Sequence, residues 1–214
     1  MDAITRTRIF NEYEKIYVGI LSNMYPAKNS TGFPERNLSV NFAKAYERIA
    51  QSKKNAAYTW YEFQFGPENN LHVDAVILNP SEEEMLIIES KRYSNPASKM
   101  REVGEDIERI QLFCSEIENE NRNGIVRIKV DNYKKVYGVI LADVWTETTL
   151  KSEICDSYLN GMLEPASPKA FLNKFKDGLG ISSVPENVSY FASNLSEIED
   201  TQKYNLVSFM WELK

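Results

Sequence analysis

The chain has 214 residues, of which 43% are hydrophobic and 26% are charged, and its formal net charge is −6. The length fits one full-sized domain and the composition is that of an ordinary soluble globular protein, so we expect a single domain over residues 1–214. The acidic charge argues against broad, charge-driven affinity for nucleic acid. The single histidine, His72, excludes a three-histidine zinc site.

The sequence carries no mark of export or of membrane insertion. Its first residues, MDAITRTR, lack the apolar segment of a secretory signal, and no apolar run approaches the roughly 18 residues that predict a membrane span. Cys114 and Cys155 share no short metal-ligand spacing, which favours two buried thiols over a zinc site or a disulfide. We therefore expect a cytoplasmic location and no membrane partner.

Apolar spacing predicts the elements in the first half of the chain. Helical periodicity predicts one helix over residues 5–24 and a second over residues 34–51. The period changes to two at residues 59–65, TWYEFQF, which predicts a strand. Residues 71–92, LHVDAVILNPSEEEMLIIESKR, then predict two more strands, joined by the turn residues Asn79-Pro80-Ser81.

The second half begins with a predicted helix over residues 98–121 and a buried strand over residues 136–145. Beyond them we expect short helices at 152–159 and 168–176 and strands near 188–192 and 204–213. The prediction is an α/β protein with a mixed sheet flanked by helices: an N-terminal helix (5–24), a core (about 34–145) and a C-terminal α+β extension (146–214). The tryptophans, Trp60, Trp145 and Trp211, are expected in the core.

Charged residues interrupt the most hydrophobic hairpin of the chain. If the turn is centred between Ser81 and Glu82, Asp74 lies directly opposite Glu89, with Cβ atoms about 5 Å apart. Two carboxylates that close, flanked by aliphatic residues, repel each other and lose hydration. A divalent cation, assisted by Lys91, would resolve the conflict, and oxygen-only ligands favour Mg²⁺ or Mn²⁺.

Other polar residues lie close enough in the predicted fold to join this site. Glu35 precedes the apolar stripe of the second helix by one turn, which would bring its carboxylate towards the sheet, although a first-turn acid is also favoured by the helix dipole. Glu62 lies on the strand next to the hairpin, where it lines the site or faces solvent. His72 and Arg92 are candidate phosphate contacts, and His72 is equally well explained as a polar neighbour.

With these residues the chain resembles the PD-(D/E)xK nuclease superfamily, which includes many restriction endonucleases. The resemblance rests on Asp74, followed after residues 75–88 by the triplet Glu89-Ser90-Lys91 at the end of an apolar strand. It also rests on the predicted order of elements over about half the chain, which is similar to the αβββαβ core of that family. It implies a restriction-endonuclease-like fold.

The resemblance also implies roles for individual residues. Asp74 and Glu89 would bind the metal, with help from the backbone carbonyl of Ser90, and Lys91 would position the attacking water. Glu35 would belong to the outer set of ligands. The implied cofactor is Mg²⁺ or Mn²⁺, and the implied activity is hydrolysis of DNA phosphodiester bonds.

Three further positions bear on the family pattern. Gln111 matches a glutamine that some recombination-type members carry in the helix after the triplet, but Ser115 occupies the position of their tyrosine. Val73 stands where the name of the motif places a proline. These positions leave the subfamily open.

Two other classes of protein remain open from the sequence. One is a catalytically inactive DNA- or protein-binding module on the same core, and the other is an unrelated α/β protein whose hairpin charges face solvent. The acidic net charge gives the chain little long-range attraction for DNA. It therefore leaves room for a homodimer or a partner subunit that brings DNA to the site.

Overall fold

A computed structural model describes residues 1–23, 34–66, 70–93, 96–125, 127–147, 189–198 and 202–213 of the protein. A short 3₁₀ turn, Val130–Asn132, precedes the fourth strand. The helices and strands, in chain order, are α1 (Ala3–Asn23), α2 (Arg36–Ser52), β1 (Tyr58–Phe65), β2 (Leu71–Asn79), β3 (Glu84–Tyr93), α3 (Pro96–Arg122), β4 (Lys135–Glu147), β5 (Ser189–Ile198) and β6 (Gln202–Glu212).

The strands form one mixed sheet in the order β1-β2-β3-β4-β6-β5. Strands β3 and β4 pair in parallel, and every other described pair is antiparallel. A parallel neighbour requires a crossover connection, and α3 provides it between β3 and β4. The predicted α/β class is therefore confirmed.

Helices cover both faces of the sheet and create two separate apolar layers. Helices α1 and α2 pack on one face and form the α1–α2 layer, in which Tyr13 and Phe42 meet strand residues such as Ile88. Helix α3 covers the other face and forms the α3 layer, in which the ring centroids of Phe113 and Phe65 lie 4.9 Å apart. Because both faces are buried, the central strands read as almost continuous apolar runs.

The predicted order of helix, three strands, helix and strand matches the order from α2 to β4. The predicted strand near 188–192 is longer than expected, since β5 continues to Ile198 along the hydrogen-bonding edge of β6.

The predicted helices at 152–159 and 168–176, together with Cys155, lie outside the described residues. Cys114 is partly buried and packs against the α3 layer. Across the described ranges, no helix is both long and apolar enough to cross a membrane.

Gly138 on β4 is required by the close approach of Trp211 on β6. The two residues are partners in the ladder, and a Cβ atom at position 138 would overlap the indole ring.

We expect Gly138→Ala to lower the free energy of unfolding by about 1–3 kcal/mol in urea denaturation, because the overpacked ring cannot move within the buried layer. Gly104→Ala, on α3 with open space around it, should raise stability by about 0.5–1 kcal/mol. Equal stability of the two variants would contradict this account.

Candidate active site

The β2–β3 hairpin has the predicted register, and it opens at the position of the two acids. Its ladder runs from Asn79 opposite Glu84 to Ala75 opposite Ile88, and in this register the next pair is Asp74 and Glu89. No backbone pairing is present there. Instead, the backbone N–H of Ser90 donates a hydrogen bond of 2.6 Å to Oδ2 of Asp74. The strands separate at this point, and the Asp74 carboxylate satisfies a backbone donor of β3.

Helix α3 contributes two further charged residues to this end of the hairpin. Glu89 and Lys91 follow Ile87 at intervals of two and therefore share the face that α3 covers. Nη1 of Arg109 lies 2.7 Å from Oε1 of Glu89 and 3.0 Å from Oδ1 of Asp106. Nζ of Lys91 lies 3.2 Å from Oδ2 of Asp106. We call these residues the charged cluster: Asp74, Glu89, Lys91, Asp106 and Arg109.

Burial dominates the electrostatics of the charged cluster. Glu89 is only 2% exposed, and burial raises the pKa of its carboxyl group from 4.5 to about 8. The negative charges of Asp74 and Asp106 contribute to this upward shift, whereas Arg109 opposes it. Burial also raises the pKa of Asp106 and of Asp74, and the hydrogen bond from Ser90 opposes the shift at Asp74. Burial therefore disfavours the ionised form of all three acids of the cluster.

The same surroundings favour the charged form of Lys91, whereas they disfavour the charged forms of the acids. Burial lowers the pKa of its ammonium group, but the charge and hydrogen bond of Asp106, together with the charges of Glu89 and Glu35, outweigh this effect, and the net shift is upward. Lys91 therefore remains a cation at neutral pH, held at a fixed place beside two acids. Its ammonium group is a fixed point charge, which is what stabilisation of a developing anion requires.

The donor set at the hairpin end fits a hard divalent cation held by few protein ligands. No group of three or more His, Cys, Asp or Glu side chains is arranged to hold a metal ion among the described residues. Mg²⁺ keeps several of its waters and is commonly held by one or two carboxylates together with substrate phosphates. Asp74 and Glu89 could provide such a pair, and the charge of Asp74 disfavours ionisation of Glu89 unless a cation is nearby.

Glu62 on β1 lies at a distortion of the β1–β2 ladder beside the site. It has φ of +52°, and the β1–β2 ladder lacks a pair between Tyr61 opposite Ala75 and Phe63 opposite Val73. Tyr61 packs with the α1–α2 layer and Phe63 with the α3 layer, although residues two apart in a regular strand share a face. The distortion lies directly opposite Asp74, whose pKa the charge of Glu62 raises.

Glu35 lies at the start of α2, where its Oε1 accepts a 2.8 Å hydrogen bond from the backbone N–H of Arg92. This contact fixes the end of β3 just beyond Lys91. The charge of Glu35 is also close enough to raise the pKa of Lys91. Glu35 thus borders the charged cluster and anchors its strand, while the described contacts link its carboxylate to Arg92 and not to Asp74 or Glu89.

The remaining predicted residues are farther from the charged cluster. His72 is exposed and pairs across the ladder with Gln64. Gln111 is exposed on α3, and the half-buried Arg92 contributes its backbone amide to the Glu35 contact.

Asp106 and Arg109 were not predicted from the sequence. They precede Ile107 and Ile110, which belong to the buried stripe of α3, so they lie at the border of that stripe. Their spacing of three residues brings them to one side of the helix. An acid and a base at this border, in the helix after the triplet, form the signal that would have pointed to them.

The raised pKa of Glu89 predicts how stability depends on pH without metal. The folded protein keeps the Glu89 proton up to about pH 8, whereas the unfolded chain releases it near 4.5. The folded state then binds the extra proton, so the free energy of unfolding should fall as pH rises from about 5 to 8. Glu89→Gln should flatten this dependence in thermal melts with chelator and should be more stable than wild type at pH 8.

Glu108→Gln, on the exposed side of the same helix, is the matched control and should keep the wild-type slope. Asp74 and Asp106 shift in the same direction as Glu89, so part of the slope should survive in Glu89→Gln. Parallel melting curves for wild type and Glu89→Gln would refute a protonated Glu89 in the folded protein.

Comparison with known proteins adds no family to this description. No protein-family model matches the chain, and no curated protein or solved structure matches it either. The functional argument therefore depends on the geometry and charges of the described residues.

Proposed function

We propose that the protein is a metal-dependent nuclease with a restriction-endonuclease-like core that hydrolyses DNA phosphodiester bonds at the charged cluster. The observation that carries the proposal is the opened end of the β2–β3 hairpin, where Asp74, Glu89 and Lys91 converge. The sequence of elements from α2 to β4 supports it, because that is the order expected for such a core.

Each residue of the charged cluster has a role in this proposal. Asp74 and Glu89, with the backbone carbonyl of Ser90, would hold Mg²⁺ or Mn²⁺, and the ion would supply Lewis-acid stabilisation of charge on the phosphate. Lys91 would orient the attacking water and face the phosphate with a positive charge. Asp106 holds Lys91 through the 3.2 Å ion pair and would act as a positioning residue. Glu35 would fix the strand end that carries Lys91.

Without a bound metal ion, Arg109 is the basic partner of Glu89. Its guanidinium lies 2.7 Å from Glu89 and favours the ionised form of this acid, as a divalent ion would. Two cations at one carboxylate repel each other, so metal binding at Glu89 favours a shift of Arg109 towards Asp106, its other partner.

This arrangement also favours the alternative function. A cluster whose acids already have basic partners within the chain is compatible with a catalytically inactive DNA- or protein-binding module on the same core. Under both functions the net charge of −6 gives the chain little long-range attraction for DNA. This favours a homodimer or a partner subunit that brings DNA to the site. Metal-dependent turnover separates the two functions.

Substitution of the central residues tests the proposal directly. With supercoiled and single-stranded DNA and either Mg²⁺ or Mn²⁺, wild type should cleave, whereas Lys91→Met should lose at least about 100-fold in rate because it removes the charge facing the phosphate. Asp74→Asn should lose cleavage and weaken Mn²⁺ binding, measured by electron paramagnetic resonance. Lys15→Met, at an exposed position on α1, should cleave at the wild-type rate.

Two results would decide against the nuclease. Full cleavage by both Lys91→Met and Asp74→Asn would place the activity elsewhere or in a contaminant. Absence of cleavage by wild type, together with no Mn²⁺ binding, would favour the binding module.

Arg109→Ala tests the competition between guanidinium and metal. Removal of the competing cation should strengthen Mn²⁺ binding several-fold in a calorimetric titration. It should also lower the melting temperature of the metal-free protein, because Glu89 loses its basic partner. Arg122→Ala, an exposed position at the end of the same helix, should change neither quantity. Weaker metal binding by Arg109→Ala would show that Arg109 supports the ion.

A further inference from the structure

Strand β1 exposes two large aromatic side chains at the edge of the sheet. Tyr58 is 61% exposed and Trp60 is 65% exposed, so the expectation that Trp60 lies in the core is wrong. Trp60 stands opposite Val76 in the ladder, but as part of an edge strand it lies beyond the cover of α3. An exposed aromatic ring alone is common on protein surfaces. The surroundings of Trp60 distinguish it from Tyr58.

Trp60 lines a cleft that includes Glu62, the residue of β1 whose charge acts on Asp74. The cleft has a volume of about 360 Å³, and its other lining residues are Glu62, Phe63, Gln64 and Arg127. Glu62 belongs both to this cleft and to the distortion opposite Asp74, whose pKa it raises. A molecule in the cleft would therefore reach within electrostatic range of the hairpin end.

The walls of the cleft are held in place by described contacts. The Trp60 ring packs edge-on against Phe63, with 5.7 Å between centroids and an interplanar angle of 78°. Nη1 of Arg127 donates a 3.0 Å hydrogen bond to the backbone carbonyl of Gln64, and its Nε lies 3.0 Å from Glu120. The cleft thus presents an aromatic ring and a guanidinium group that are each held by a neighbouring residue.

We infer that this cleft binds an unpaired nucleobase of a nucleic-acid strand, stacked on Trp60, with the adjoining phosphate towards Arg127. The inference rests on the proposed function and specifies its substrate as nucleic acid with a single-stranded segment beside the cleaved bond. An aromatic ring beside a cation matches the alternation of base and phosphate in a single strand. Glu62 repels phosphate and so directs the backbone towards the Arg127 side of the cleft.

An apolar peptide is the competing occupant, and the chemistry of the lining argues against it. Two of the lining side chains, Glu62 and Arg127, are charged and a third, Gln64, is an amide. A peptide groove would instead continue the apolar surface over several residues. The aromatic rings of the lining, Trp60 and Phe63, pack against each other, which suits stacking of one planar base on Trp60.

The test compares Trp60→Ala with Tyr58→Ala, because both remove an exposed aromatic ring from the same strand. Binding of a labelled single-stranded oligonucleotide is measured by fluorescence anisotropy with chelator present, so that no cleavage occurs. We expect Trp60→Ala to weaken binding by about 10-fold or more, since loss of one stacked base has an effect of this order. Tyr58→Ala should remain within about twofold of wild type, and Trp60→Phe should recover most of the affinity.

A fully paired duplex of the same length should show no dependence on Trp60. Equal affinity of wild type and Trp60→Ala for the single strand would overturn the inference, as would a lack of binding by wild type. Cleavage assays separate this result from the proposed function. Metal-dependent cleavage together with binding that does not depend on Trp60 would support the nuclease and refute base binding in this cleft. Binding that depends on Trp60 without any cleavage would support base binding in the cleft and refute the nuclease. Near-native melting of Trp60→Ala serves as the folding control.

Discussion

The structure depends on the neutralisation of Glu89, a buried acid at the end of a hairpin. A carboxylate at this depth is costly unless it is protonated, paired or bound to a cation, and Arg109 of α3 provides the pairing. The rotation of α3 that packs its apolar stripe on the sheet also turns Asp106 and Arg109 towards β3. The apolar packing and the contact with Glu89 are therefore satisfied by the same orientation of the helix.

The composition of the charged cluster is not what stability alone would select. A core of aliphatic residues at these positions would need no basic partners and would fold more simply. The chain instead carries Asp74, Glu89 and Asp106 within reach of two cations, in a place where the strands no longer pair. Concentrated acids with raised pKa values, next to a backbone distortion, are typical of sites kept for chemistry and not for stability.

The sequence predicted those features that follow from local pattern. The hairpin register followed from its turn, because a two-residue period and a known turn centre fix which residues are opposite, and the helix positions followed from their apolar stripes. Asp106 and Arg109 were missed because the orientation of a crossover helix is set by packing. The exposure of Trp60 could not be deduced because alternation does not reveal which strand lies at the sheet edge. The positive φ of Glu62 has no signature in residue type.

The position of β6 has a consequence for synthesis of the protein. This strand, the last described element, lies inside the sheet between β4 and β5. Until residues 202–213 leave the ribosome, the hydrogen-bonding edge of β4 has no partner, and the apolar run of β4 stays available to other chains. This side of β4 can therefore pair only after β6 has been synthesised, and chaperones that cover exposed strand edges would act on β4 in that interval.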